Sequence, residues 1–179
     1  DAGFAYVHHT LRRLGVREAD LEDITHDVFI RVFRHQAEFD VTRPLKPWLF
    51  GFAYRVALDH RRLARHRNEA NAPEGHEMKD DAPLPDQLLE EERARMLCQR
   101  GLDALDFDKR TVLVMFEIEG RSAQEIADHF SIPLNTAYSR IRLARGDHCR
   151  RRGRRRAPGG TLGIPRARVC RPLIAGGKD

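Results

Sequence analysis

The chain has 179 residues, 33% of them charged, 41% hydrophobic and 7% aromatic, with a formal net charge of +5. That length suits one ordinary domain or two small ones, and a mean hydropathy of −0.59 excludes a membrane-spanning protein. Cys98, Cys149 and Cys170 form no C-x-x-C pair, so neither a disulfide scaffold nor a zinc ribbon is expected.

The segment before Gly15 has no signal-peptide pattern, and the missing initial Met reads as a fragment lacking its natural start. These features lead to the expectation of a soluble, reduced, cytoplasmic protein. The charge is unevenly spread. Residues 146–179 carry +8 and residues 1–145 carry −3; within the latter, residues 41–67 carry +6 and residues 68–92 carry −8. Such alternation suits separate surfaces for separate partners, although charge runs are as often plain solvated faces.

The periodicities are helical throughout. A first helix is expected over residues 2–14, with Phe4, Val7, Leu11 and Leu14 inward, and Gly15 as its left-handed C-cap. A second is expected over residues 20–37. Asp20 is its N-cap, Leu21, Ile24, Val28 and Val32 form its buried stripe, and Phe29 and Phe33 widen that stripe. Residues 39–44 read as a loop. A third helix starts near Pro44 and Pro47, which a first turn tolerates. Its apolar face holds Leu45, Trp48, Leu49, Phe52, Val56 and Leu63, with Trp48 read as core; Lys46, Tyr54, Arg55, Arg61, Arg62 and Arg65 line the other face.

Residues 68–85 contain Pro73, Pro83 and Pro85, many acids and no periodicity, so a flexible linker is expected there. A second helical block begins near Asp86 and runs through Leu88, Leu89, Met96, Leu97 and Leu105. Asp106 caps a helix over residues 107–119 with Val112, Leu113, Met115 and Phe116 inward, and Gly120 stops it. Ser122 and Glu125 form a capping box for a short helix. Ile132 and Pro133 open a last helix that ends near residue 150. Residues 151–179 are rich in Arg, Gly and Pro, and no fold is expected of them. The fold class is therefore all-α, as two small helical domains (1–67 and 86–150) joined by the acidic linker.

The segment 122–145, SAQEIADHFSIPLNTAYSRIRLAR, reads as a helix-turn-helix. Ala127 allows close approach of two helices; Ile126, Phe130 and Ile132 wedge the turn; and Ser131 occupies a position that commonly needs positive φ. On the last helix Ala137, Ile141 and Ala144 share one face, while Asn135, Tyr138, Ser139 and Arg142 share the opposite one. Asn and Arg side chains can pair two-pronged with base edges in a major groove, and Arg140 and Arg145 flank that face for phosphates. A buried αα-corner without a DNA role is the plain alternative.

Two further stretches sharpen this reading. DLEDITHDVFIR (20–31) with PWLFGFAYRVALDHRR (47–62) resembles region 2 of extracytoplasmic-function (ECF) RNA polymerase sigma factors, members of the sigma-70 superfamily. LDALDFDKRTVL (102–113), Glu119-Gly120 and the helix-turn-helix resemble their region 4. Measured against that family, the chain starts inside the first helix of region 2.

The resemblance implies a transcription initiation factor that joins core RNA polymerase and directs it to promoters. Glu22, Asp23, His26, Asp27 and Arg31 would then meet the β′ clamp helices, and the second domain the β flap. Arg43, Lys46, Tyr54, Arg55, Arg61 and Arg62 would hold and open the −10 element, since cations grip phosphates and unstacked bases need polar, partly aromatic pockets. Asn135, Thr136, Tyr138, Ser139, Arg140, Arg142 and Arg145 would read the −35 element. The linker would thread toward the polymerase active site, either mimicking nucleic acid or serving as solubilising chain. The basic tail is either a nonspecific DNA binder or a drifted or frame-shifted sequence.

The partners implied are core polymerase, promoter DNA and an anti-sigma factor, with the free chain a monomer. No cofactor, metal or enzymatic activity is expected: there is no phosphate loop, nucleophile elbow or H-E-x-x-H, and pairs such as Asp59-His60 point in different directions on a helix. The alternative function is a stand-alone helix-turn-helix regulator.

Overall fold

The computed structural model describes residues 2–70 and 90–153, with side chains over residues 2–66 and 92–149. The linker beyond residue 70, Asp86, Leu88, Leu89 and the tail beyond residue 153 lie outside the described residues. Those described contain helices and turns and no strand. The chain divides into two compact units, Asp1–Lys79 and Asp80–Asp179.

In the first unit α1 (Ala2–Leu14), α2 (Leu21–Arg34) and α3 (Leu45–Ala70) each pack on the other two. Val7, Leu11 and Leu14 of α1, Leu21 and Val28 of α2, and Leu49, Phe50, Ala53, Val56 and Ala57 of α3 build the core. Gly15 ends α1 as expected, at φ 95°, with Gly15 N–H bonded to the Arg12 carbonyl and Val16 N–H to that of Leu11. This paired closure tucks Val16 beneath the helix end.

Several expectations fail for identifiable reasons. Asp20 precedes α2 but makes no cap bond. Its carboxylate instead accepts from Arg17 Nε at 2.8 Å and lies 3.5 Å from His60 Nε2, so a tertiary tie replaces the local cap. α2 ends at Arg34, short of residue 37. Phe33, expected inward, is 69% exposed, and Leu45 and Leu63 are also exposed. Trp48 is only half-buried, 4.7 Å from Phe39 and 4.9 Å from Phe52 between ring centroids. α3 also runs to Ala70, past the expected start of the linker.

In the second unit α7 (Leu134–Gly153) packs against α4 (Glu90–Asp103), α5 (Phe107–Leu113) and α6 (Ala123–Phe130). Asp106 caps α5, its carboxylate accepting from Lys109 N–H at 2.9 Å. The expected helix over residues 107–119 is broken by a π-helical turn, Val114–Ile118, closed by Glu119 N–H on the Val114 carbonyl. Residues Thr111 through Met115 are consecutively buried, and Phe116 is left half-buried. Lys109 joins α5 to α7 by donating to Asp147 at 2.9 Å. That bond and the one to Asp106 hold its ammonium pKa above the usual lysine range.

The Ser122–Glu125 capping box is present in both directions. The Ser122 backbone and hydroxyl bonds, with Arg121 beside them, hold the Glu125 carboxyl below the usual glutamate range. Because that folded-state pKa is depressed, the box stabilises the unit above about pH 4.5, the unperturbed value, and the contribution fades as pH falls through the folded value. Ser122→Ala is expected to cost about 1 kcal/mol of unit stability near neutral pH, with a smaller difference in acid. Thermal melts of the two proteins at pH 7 and below pH 4 check this.

Candidate nucleic-acid interface

The helix-turn-helix is built by short-range rules. α6 ends on Ser131 in the left-handed region, φ 51° and ψ 46°, as its position in the turn suggested. Ile132 N–H returns to the Ala127 carbonyl at 2.9 Å, folding the chain back for α7. Ala123, Ile126 and Ala127 of α6 are buried, as are Ala137, Ile141 and Ala144 of α7; the small side chains permit the close crossing. α7 is therefore pinned by one face.

Its outward face carries Asn135, Tyr138, Ser139 and Arg142, all exposed, with Tyr138 at 58%. Thr136 and Arg140 lie half-buried on its flank. Arg145 is exposed but engaged: its Nε donates to Glu117, and its guanidinium lies 4.6 Å from the Phe116 ring centroid. Neither partner stood out in the sequence, because both lie nearly thirty residues upstream.

On α3, Arg55, Arg62 and Arg65 are exposed, while Tyr54 and Arg61 are half-buried. Lys46 starts the helix: its ammonium lies 5.9 Å from the Tyr6 ring centroid, and its carbonyl accepts from the Tyr6 hydroxyl at 3.2 Å. Arg43 lies in the preceding loop, 3.4 Å from Asp40. Asp40 accepts from both the hydroxyl and the N–H of Thr42; the hydroxyl bond most of all lowers its pKa. Asp59, the only acid in residues 41–67, is bonded to Arg31 of α2 at 2.9 Å. That pairing occupies the one acid among the seven cations of this stretch.

On α2, Glu22, Asp23, His26 and Asp27 are exposed together, whereas Arg31 is half-buried against Asp59. Beside the acids lies an apolar cluster that periodicity misassigned. Phe4 stacks on Phe29 at 5.9 Å, the His26 ring sits 6.0 Å from Phe4, and Ile30 and Phe33 are 50% and 69% exposed. Among the described residues no group of His, Cys, Asp and Glu could hold a metal, and no helix is long and apolar enough to cross a membrane.

The first unit matches the family model described as Sigma-70 region 2, over residues 5–67, and the second matches Sigma-70, region 4, over residues 95–147. The chain belongs to the sigma-70 family. The "ECF RNA polymerase sigma factor SigE" of Mycolicibacterium smegmatis is 32% identical over 140 residues, covering 78% of this chain. This sigma-70 chain spans about half (54%) of the length of SigE. The sigma factor RpoE of Bartonella quintana, solved with the anti-sigma factor NepR, shares the fold at TM-score 0.64 and 21% identity, over 86% of this chain and 94% of that one. CnrH, solved with the cytosolic domain of CnrY, aligns at TM-score 0.53 and 25% identity, over 82% of this chain and 79% of that one. Within the sigma-70 family the chain is of the ECF type.

Proposed function

We propose that this chain binds core RNA polymerase, directs it to specific promoters and helps open their −10 region. The observation that carries the reading is the order of two family units in one chain, the first with a basic helix whose Asp59 is already paired with Arg31 and the second with a polar recognition face. Arg43, Lys46, Tyr54, Arg55, Arg61 and Arg62 hold the −10 strand. Asn135, Thr136, Tyr138, Ser139, Arg140, Arg142 and Arg145 read the −35 element and its phosphates. Glu22, Asp23, His26, Asp27 and Arg31 face the polymerase β′ clamp helices, joined by Ile30 and Phe33, and the second unit meets the β flap.

The role is non-catalytic and is exercised in the cytoplasm. An anti-sigma partner belongs to the proposal as well. To this reading belong a region 2 over 1–67 and a region 4 over 86–150, with the acidic segment between them as connector and the basic tail beyond.

Run-off transcription with purified core polymerase tests this. The expected result is weak promoter binding by the chain alone and promoter-specific transcripts with core enzyme. Failure to bind core, combined with tight binding of duplex DNA as a dimer, would select the stand-alone regulator instead. At the level of one residue, Arg142→Ala is expected to cost about 1–3 kcal/mol at a single −35 position and to relax specificity there. A panel of promoter variants that all lose affinity equally would make Arg142 a phosphate contact.

A further inference from the structure

Tyr138, Arg142 and Arg145 follow one another at steps of four and three, so they form a single ridge along the outer side of α7. Arg145, at the far end, is tied to Glu117 and rests on Phe116. Both partners belong to the π-helical turn, Val114–Ile118. Each residue advances an α-helix by about 100°, so the extra residue in that turn sets which way Phe116 and Glu117 point. π turns often sit at functional positions, where they re-aim side chains. Here the two re-aimed side chains converge on one guanidinium.

An arginine offers five N–H donors in a planar fork. The Glu117 carboxylate takes the Nε donor, and the Phe116 ring lies against the guanidinium, its centroid 4.6 Å away, which leaves the Nη edge to meet a further anion. We propose that Glu117 and Phe116 are positioning residues that present Arg145 to a DNA phosphate beyond the bases read by the first turns of α7. This deepens the proposed −35 reading and rests on it. Presetting the fork spares the side-chain ordering that a loose arginine would undergo on binding.

The inference reverses the sign given by simple electrostatics. Removing the negative charge of Glu117 beside a polyanion should tighten binding if the residue is a bystander, whereas loss of a positioning residue should weaken it. The test uses the full chain with core polymerase, titrated onto promoter DNA over a salt series. R145A is expected to weaken binding at every promoter sequence and to lower the salt slope by about one. E117A is expected to weaken binding by about three- to tenfold, the effect of releasing one long side chain. E117Q, whose amide oxygen still accepts from Nε, should rescue that loss. R145K, which keeps the charge but lacks Nε and the planar fork, should resemble E117A.

Equal or tighter binding by E117A, or an unchanged salt slope in R145A, overturns the proposal. Should E117A fail to fold, the other pair decides: loss in R145K with rescue in E117Q supports it, and equal behaviour of the two overturns it. A wild-type chain that never binds promoter with core enzyme overturns the functional reading itself, a result distinct from wild-type binding that E117A leaves intact.

Discussion

Phe33→Asp is expected to abolish assembly with core polymerase while leaving the first unit folded. The ring is 69% exposed, so the folded state loses little by its removal, within about 0.5 kcal/mol for a surface change. In the proposed complex with polymerase the same ring would be the anchor. It lies with Ile30, Phe29 and Phe4 on a patch bordered by Glu22, Asp23, His26 and Asp27, the pattern of an apolar centre with a polar rim. Loss of such an anchor costs about 2–4 kcal/mol, roughly 30- to 1,000-fold in affinity. Changing the surrounding acids should alter mainly the association rate and its salt dependence. Competition binding to core polymerase, paired with a thermal melt, separates these cases; undiminished affinity of the folded Phe33→Asp protein would remove the patch from the interface.

Gly101→Ala is expected to destabilise the second unit, although one methyl is the whole change. Gly101 lies in α4 where His148 of α7 packs against it, and an added Cβ would fall 2.6 Å from Nε2 and 2.8 Å from Cδ2 of that ring. His148 is 2% exposed, so the imidazole has nowhere to retreat. Overpacking of this kind costs about 1–3 kcal/mol, and each kcal/mol lowers Tm by about 4–8 °C in a domain of 60–100 residues. Gly51→Ala is the matched control. Its Cβ meets nothing within 4 Å, and its helical backbone favours alanine by about 0.5–1 kcal/mol. Opposite shifts in Tm are therefore expected from the same chemical change, and a neutral Gly101→Ala would show that α4 and α7 leave room for a methyl between them.

Features governed by a few neighbouring residues were legible in the sequence. Gly15, Asp106, Ser122 with Glu125, and the left-handed Ser131 each act within about five residues, and each behaves as its local chemistry dictates. So does the inward face Ala137, Ile141 and Ala144. The failures arise where a local pattern admits more than one outcome and competing contacts or backbone geometry decide between them. Asp20 looked like a cap until Arg17 and His60 claimed its carboxylate. Phe33 completes a helical stripe, yet periodicity registers apolarity without telling a core from a docking face. The π turn slips the register by one residue, so extrapolation from Val112 assigned Phe116 fully inward. The engagement of Arg145 with Glu117 spans 28 positions and two helices, which no local pattern encodes.

Asp59 and His60 are adjacent on α3, yet one reaches Arg31 near the end of α2 and the other reaches Asp20 just before its start. Neighbouring side chains of α3 thus meet α2 near both of its ends, as a hydrogen-bonded ion pair at one and a 3.5 Å approach at the other. The helix proposed to dock and the helix proposed to open DNA are therefore linked by polar side chains as well as by their shared core.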